Sequence, residues 1–274
     1  MKRFIWLSLL LIPYWVWIQH PQGTPHLAGP SLTPLVYAAF SALLFLPKAW
    51  WLFRLDRDDC LASISRLAWS SIGGLGLVHL LTYAMGYPSL AKLFLGGPAG
   101  YAFSGVGMAN SIKDVESLPL WVSIVGYTLG VGLIEEAAKA IAARSDIIDG
   151  MRTRAAFGFV SGVGFGLAEA VQYSYLHYIP ENADWVVYVL RYFFCVGFHG
   201  CMSAVAVLSL PHDWWDSDRW WNTALRLLPI AFFHGAYDAL LGRAHPVWAG
   251  IVATITILLL PVLLWVQEEH AGEV

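Results

Sequence analysis

Gly132-Leu133-Ile134-Glu135-Glu136-Ala137-Ala138-Lys139-Ala140 lies inside a run that is otherwise apolar from Pro119 to Ala143. That run is long enough to cross a bilayer as a helix. Each ionisable group at such depth costs about 2.5–3.5 kcal/mol on insertion scales, so such groups call for partners. Glu135 and Lys139, one turn apart, can offset each other on one helix face. Glu136 projects about 100° away from Glu135, so its partner must come from another helix or from water.

The whole chain has the same character. Only 13% of its 274 residues are charged, while 58% are hydrophobic. A soluble domain carries about 25% charged residues. Mean hydropathy is +0.59. The fold class expected is all-α: a polytopic helical membrane protein embedded in a lipid bilayer. Net charge is near neutral and no basic tract is present, which excludes nucleic acid as a partner. Cys60, Cys195 and Cys201 form neither a disulfide framework nor a CxxC metal pair. Tryptophans gather near expected span ends (Trp15, Trp17, Trp50, Trp51, Trp214, Trp215, Trp220, Trp221), as in an interfacial aromatic belt.

About eight helices are expected. Phe4–Ile18, preceded by Lys2 and Arg3, reads as a retained first helix, because it ends in Trp and Ile and not in the small residues of a cleavage site. A loop from Pro21 to Pro34 leads to a second span, Leu35–Phe53. The polar segment Arg54–Arg66 precedes a third span, Leu67–Met85. Residues 86–118 are broken by glycines and Pro98, and suit a re-entrant or surface-lying segment. Spans then follow over Pro119–Ala143, Ala155–Ile179, Trp185–Leu210, Thr223–Leu241 and Pro246–Val266, with an acidic tail. Three regions result: 1–118 with the N-terminal helices, 119–243 as a four-helix core, and 244–274 with the last span. With the N-terminus in the cytoplasm, basic residues divide 11 to 4 in favour of that side, with Arg191 counted among the outer four. Both termini are therefore expected in the cytoplasm of a cell-membrane protein.

Gly158, Gly162, Gly166 and Ala170 recur every fourth residue as a small-residue packing ridge, and Gly126 and Gly130 repeat the pattern on the preceding span. Four consecutive core spans each carry an acid or an imidazole at similar depth. They are Glu135-Glu136 with Lys139; Glu169, flanked at i±4 by Phe165 and Tyr173; His199; and His234 with Asp238 one turn on. Singly, each could be a hydrogen-bonded packing group. As a set they point to function. Histidine and carboxylate are the ligands of catalytic zinc, which holds an activated water, and a further glutamate can move that water's proton. Glu169, His199, His234 and Asp238 are the candidate metal ligands, Glu135 or Glu136 the candidate base, and Lys139 a group to steady a carboxylate or an oxyanion. No HExxH is present, so zinc rests on ligand types, and a metal-free glutamate-activated water stays open.

At these residues the sequence resembles the PrsW family of intramembrane proteases, related to the CAAX-prenyl and bacteriocin-processing membrane proteases. The pattern is EExxK, FxxxExxxY, a histidine and HxxxD on successive helices. Here it is Glu135-Glu136-x-x-Lys139, Phe165-x-x-x-Glu169-x-x-x-Tyr173, His199 and His234-x-x-x-Asp238. The resemblance covers about Pro119 to Leu241. It implies an endopeptidase acting on membrane-anchored protein substrates, with Glu135, Glu136 and the histidines in the catalytic set. The family's namesake makes a first cut in an anti-sigma factor. The rival reading is a proton- or ion-coupled transporter that uses the same buried Glu, Lys and His, though no inverted repeat accompanies it. A non-catalytic scaffold is the third reading. Trp214, Trp215, Trp220 and Trp221, mixed with Asp213, Asp216, Asp218 and Arg219, read as interfacial anchoring of two span ends.

Overall fold

A computed structural model describes residues 33–74, 76, 119–144, 150–178, 183–211 and 220–271. Every element among them is helical: α1 (Thr33–Phe53), α2 (Arg57–Trp69), α3 (Leu120–Ala143), α4 (Met151–Tyr173), α5 (Trp185–Ser209), α6 (Trp220–Gly242) and α7 (Pro246–Ala271). All except α2 are long and apolar enough to cross a membrane, which gives six candidate spans among the described residues. The expected first helix, the 86–118 segment and most of the span Leu67–Met85 lie outside them. One boundary differs from expectation. The segment Arg54–Arg66 is helical from Arg57, because Asp56 caps α2 by accepting the Asp59 N–H at 2.9 Å. Asp58 and Asp59 in its first turn and Arg66 in its last complement the helix dipole. Hydropathy finds spans, not polar helices of this kind.

The chain forms two compact units. In the first are α1, α2, α3 from Lys139 on, α4, α5 to Leu208, and α7 from Thr256 on. Within it, α5 and α4 are the interior helices, 89% and 78% buried, while α1 is only 22% buried. Val36, Phe40 and Leu43 on α1 are more than half exposed, a surface suited to lipid. In lipid the hydrophobic effect adds little to helix association, and close packing must supply it. The ridge does so. A Cβ at Gly158 would stand 2.7 Å from the Ser203 carbonyl oxygen, one at Gly162 would strike the His199 backbone, and one at Gly166 would meet Val196 and the His199 ring. Around this pair, Phe45 and Phe53 of α1 pack on Phe159, and Ser41 donates to the Tyr192 carbonyl. Ser71, in the π turn Ser70–Gly74 after α2, donates to Gly164 O at 2.8 Å. Arg66 and Arg154 donate to the carbonyls of Arg144 and Val207 at 3.1 and 3.0 Å, serving the orphan acceptors of two helix ends.

The second unit joins α3 up to Ala138 with α6 and the start of α7. Its close approach is not at Gly126, where an added Cβ would meet nothing within 4 Å, so that glycine is no packing ridge. It is at Gly132, against the Ala231 carbonyl and His234 Cβ, and at Gly235, against the Thr128 backbone. A π turn over Thr128–Gly132 ends three residues before Glu135.

Candidate active site

In the first unit, four charged or polar side chains form one continuous line. Lys139 Nζ lies 2.9 Å from His199 Nδ1. His199 Nε2 lies 2.9 Å from Glu169 Oε2, and Arg191 Nη2 lies 2.8 Å from Glu169 Oε1. An ammonium can only donate, so His199 Nδ1 is the acceptor and the ring proton sits on Nε2, the nitrogen that faces Glu169. The neutral ring is thereby held in one tautomer between a cation and an anion. The face of α4 that carries Phe165, Glu169 and Tyr173 supplies the backing. Lys139 Nζ sits 4.7 Å from the Phe165 ring centroid, and the Arg191 guanidinium 4.3 Å from that of Tyr173. The FxxxExxxY spacing thus offers one π face to each cation and a carboxylate between them. Ser161 donates to the Lys139 carbonyl at 2.7 Å and ties this end of α3 to α4. Lys139 is fully buried, a state a lysine tolerates only with such partners.

In the second unit the centre is His234. Its Nδ1 lies 3.0 Å from Glu136 Oε1, so Nδ1–H donates to a carboxylate that has no exposure at all. Nε2 then presents its lone pair to Glu135 Oε2 at 3.6 Å and to Asp238 Oδ2 at 3.5 Å. Both separations exceed a good N–H···O hydrogen bond. An imidazole lone pair facing two carboxylate oxygens is repulsive unless a cation, or a second ring proton, lies between them. Among these, His234 and Glu135 carry ligand atoms placed to share a metal. Ligand atoms at about 2.0–2.2 Å from one tetrahedral ion lie about 3.3–3.5 Å apart. Glu136 supplies the outer carboxylate that fixes a ligating histidine's tautomer. Asp238, at 27% exposure, is the group of this cluster most open to its surroundings.

Lys139, Glu169 and His199 belong to the first unit, and Glu135, Glu136, His234 and Asp238 to the second. Helix α3 feeds both, with Glu135 and Lys139 one turn apart on it. Arg191 is the member that sequence reasoning missed. It was counted among outer loop charges, whereas its side chain is only 16% exposed and bound to Glu169. The signal was its position as the seventh residue of α5, inside an apolar span and two turns before His199.

A polytopic α-helical membrane protein with buried imidazoles held by carboxylates defines a class, that of membrane proteins with a polar chemical centre inside the bilayer. The chain belongs to the PrsW family of intramembrane metalloproteases: the family model matches residues 87–266. The match is wider than the motif-bearing core, since it takes in the glycine-rich segment and the last span. No curated protein and no solved structure matches the chain. The protein is therefore an intramembrane protease rather than a transporter or a non-catalytic scaffold.

Proposed function

We propose that the protein hydrolyses peptide bonds of membrane-anchored proteins with a divalent ion, zinc by its ligand chemistry, which His234 and Glu135 would help to hold. The observation that carries this reading is the orientation of His234, with Nδ1 committed to Glu136 and Nε2 facing two carboxylates. When bound, the ion supplies Lewis acidity and lowers the pKa of water at its open position to about 7. Glu135 has lone pairs on two oxygens. Glu135 would accept the proton of the attacking water and return it to the leaving amine. Glu136 acts through His234, keeping its ring in the ligating tautomer. Lys139 follows Glu135 by one turn, and its ammonium, oriented by His199, steadies the negative charge that develops on the scissile carbonyl oxygen.

Both termini are proposed to be cytoplasmic. With Arg191 withdrawn from the loop count, the basic residues divide 11 to 3. Regulatory cleavage, such as that of an anti-sigma factor, is the substrate class that the family likeness suggests.

The test is cleavage of a membrane-anchored reporter by the purified protein in proteoliposomes, beside elemental analysis of its metal content. Glu135→Gln should lower turnover by about 10²–10⁴-fold. His234→Ala should remove both metal and activity. Wild-type turnover in Glu135→Gln, or full activity in folded protein stripped of metal, would overturn the mechanism.

A further inference from the structure

Arg191 lies on α5 among apolar neighbours, and α5 bends its own geometry to place it. On an uninterrupted α-helix, residues eight apart differ by about 80° in direction. Arg191 is the second residue of the π turn Leu190–Cys195, whose wider winding turns the helix through fewer degrees per residue on the way to His199. Arg191 and His199 thereby come to one face and grip the same carboxylate, one on each Glu169 oxygen. The guanidinium is fixed a second time by the Tyr173 ring, itself one turn from Glu169 on α4. Along the line, Arg191 pairs with one Glu169 oxygen, the other faces His199 Nε2, and the His199 Nδ1 lone pair receives Lys139.

We infer that Arg191 is a positioning residue for proteolysis: it locks the Glu169 carboxylate and so sets the directions of His199 and Lys139. This rests on the assignment of Lys139 and His199 to the catalytic machinery. Arg191 itself touches neither Lys139 nor the reacting groups, and acts through Glu169. Each link is a close contact between complementary polar groups, so a change at Arg191 reaches Lys139 as a loss of direction and not of charge. The effect belongs to turnover more than to substrate capture.

The experiment measures kcat and KM for reporter cleavage in proteoliposomes for Arg191→Gln, Arg191→Lys, Glu169→Gln and the double variant Glu169→Gln/Arg191→Gln. Expected are a kcat about 10–100-fold lower in Arg191→Gln with KM little changed, the scale seen when an orienting partner is removed. Arg191→Lys, which keeps a cation for Glu169, should recover most of that loss. The double variant should be no slower than Glu169→Gln alone. If Arg191→Gln does not fold, the double variant, which removes both charges together, and Arg191→Lys decide the matter. Wild-type kcat in Arg191→Gln would overturn the inference. So would losses that multiply in the double variant, or an Arg191→Lys protein as slow as Glu169→Gln. Lys139→Met and His199→Ala separate the two layers: if both keep full activity the catalytic assignment fails, and if both are inactive while Arg191→Gln is not, only the inference about Arg191 fails.

Discussion

Replacing Gly162 by alanine adds one methyl group at the tightest part of the α4–α5 contact. Its Cβ would stand 2.6 Å from the His199 carbonyl carbon and 2.7 Å from Ser203 Oγ. Carbon contacts are comfortable from about 3.5 Å, so the two helices must part locally by about 0.9 Å. The obstacle is backbone, which cannot rotate aside. The Glu169–His199 contact bridges the same two helices at 2.9 Å. If the whole displacement reaches it, the contact lengthens to about 3.8 Å, near the outer limit of an ion pair. Overpacking of this kind costs about 1–3 kcal/mol of stability. A misplacement near 1 Å in a catalytic array costs on the order of 10²-fold in rate. The assay is reporter cleavage alongside thermal unfolding in detergent, with Gly126→Ala as the partner variant. A Cβ at Gly126 meets nothing within 4 Å. That substitution should leave turnover unchanged and gain up to about 1 kcal/mol from helix propensity. A Gly162→Ala protein with wild-type turnover and an unchanged melting point would refute the claim that the glycine ridge sets the position of His199.

Glu136→Gln retains an oxygen able to accept the His234 Nδ1–H and should keep most of the bound metal, whereas Glu136→Ala should lower metal affinity by about 10–100-fold; elemental analysis after dialysis against graded chelator reads the difference. Ser161→Ala removes a 2.7 Å bond to the Lys139 carbonyl and should cost about 1 kcal/mol in thermal or denaturant unfolding. Asp56→Ala uncaps α2 and should cost about 1 kcal/mol while leaving kcat intact, which hydrogen exchange over Arg57–Trp69 would register as faster opening at that helix's start.

The sequence makes the polar core legible because charge inside an apolar run has few innocent explanations. Glu135, Glu136, Lys139, Glu169, His199, His234 and Asp238 all stand out on that ground alone. Which of them meet was not legible. The pairings Lys139–His199 and Glu136–His234 depend on helix rotations that hydropathy does not encode. Arg191 was hidden by a counting rule. Positive charges are tallied by the nearest span end, and that rule cannot tell a loop arginine from one turned inward by a π turn. The π turns carry no composition signal here, since Leu190–Cys195 reads as continuous apolar helix except at Arg191 itself. Gly126 illustrates the reverse error. Its spacing from Gly130 suggested a packing ridge, but spacing does not say which way a helix faces. The helix Arg57–Trp69 escaped because its signals are a cap and a charge gradient, not hydrophobicity.

The Glu169–Arg191 pair has a bearing on how the protein enters its membrane. Glu169 is the only acid on α4 and Arg191 the only arginine or lysine on α5, and the two helices follow one another along the chain. Inserted singly, each helix would carry an uncompensated charge into the hydrocarbon. Entering as a hairpin, the pair presents a neutral couple, stacked on Tyr173 and closed over by a glycine seam. Biogenesis and chemistry thus share the same two side chains, and a substitution that spares the reaction can still be lost at the translocon.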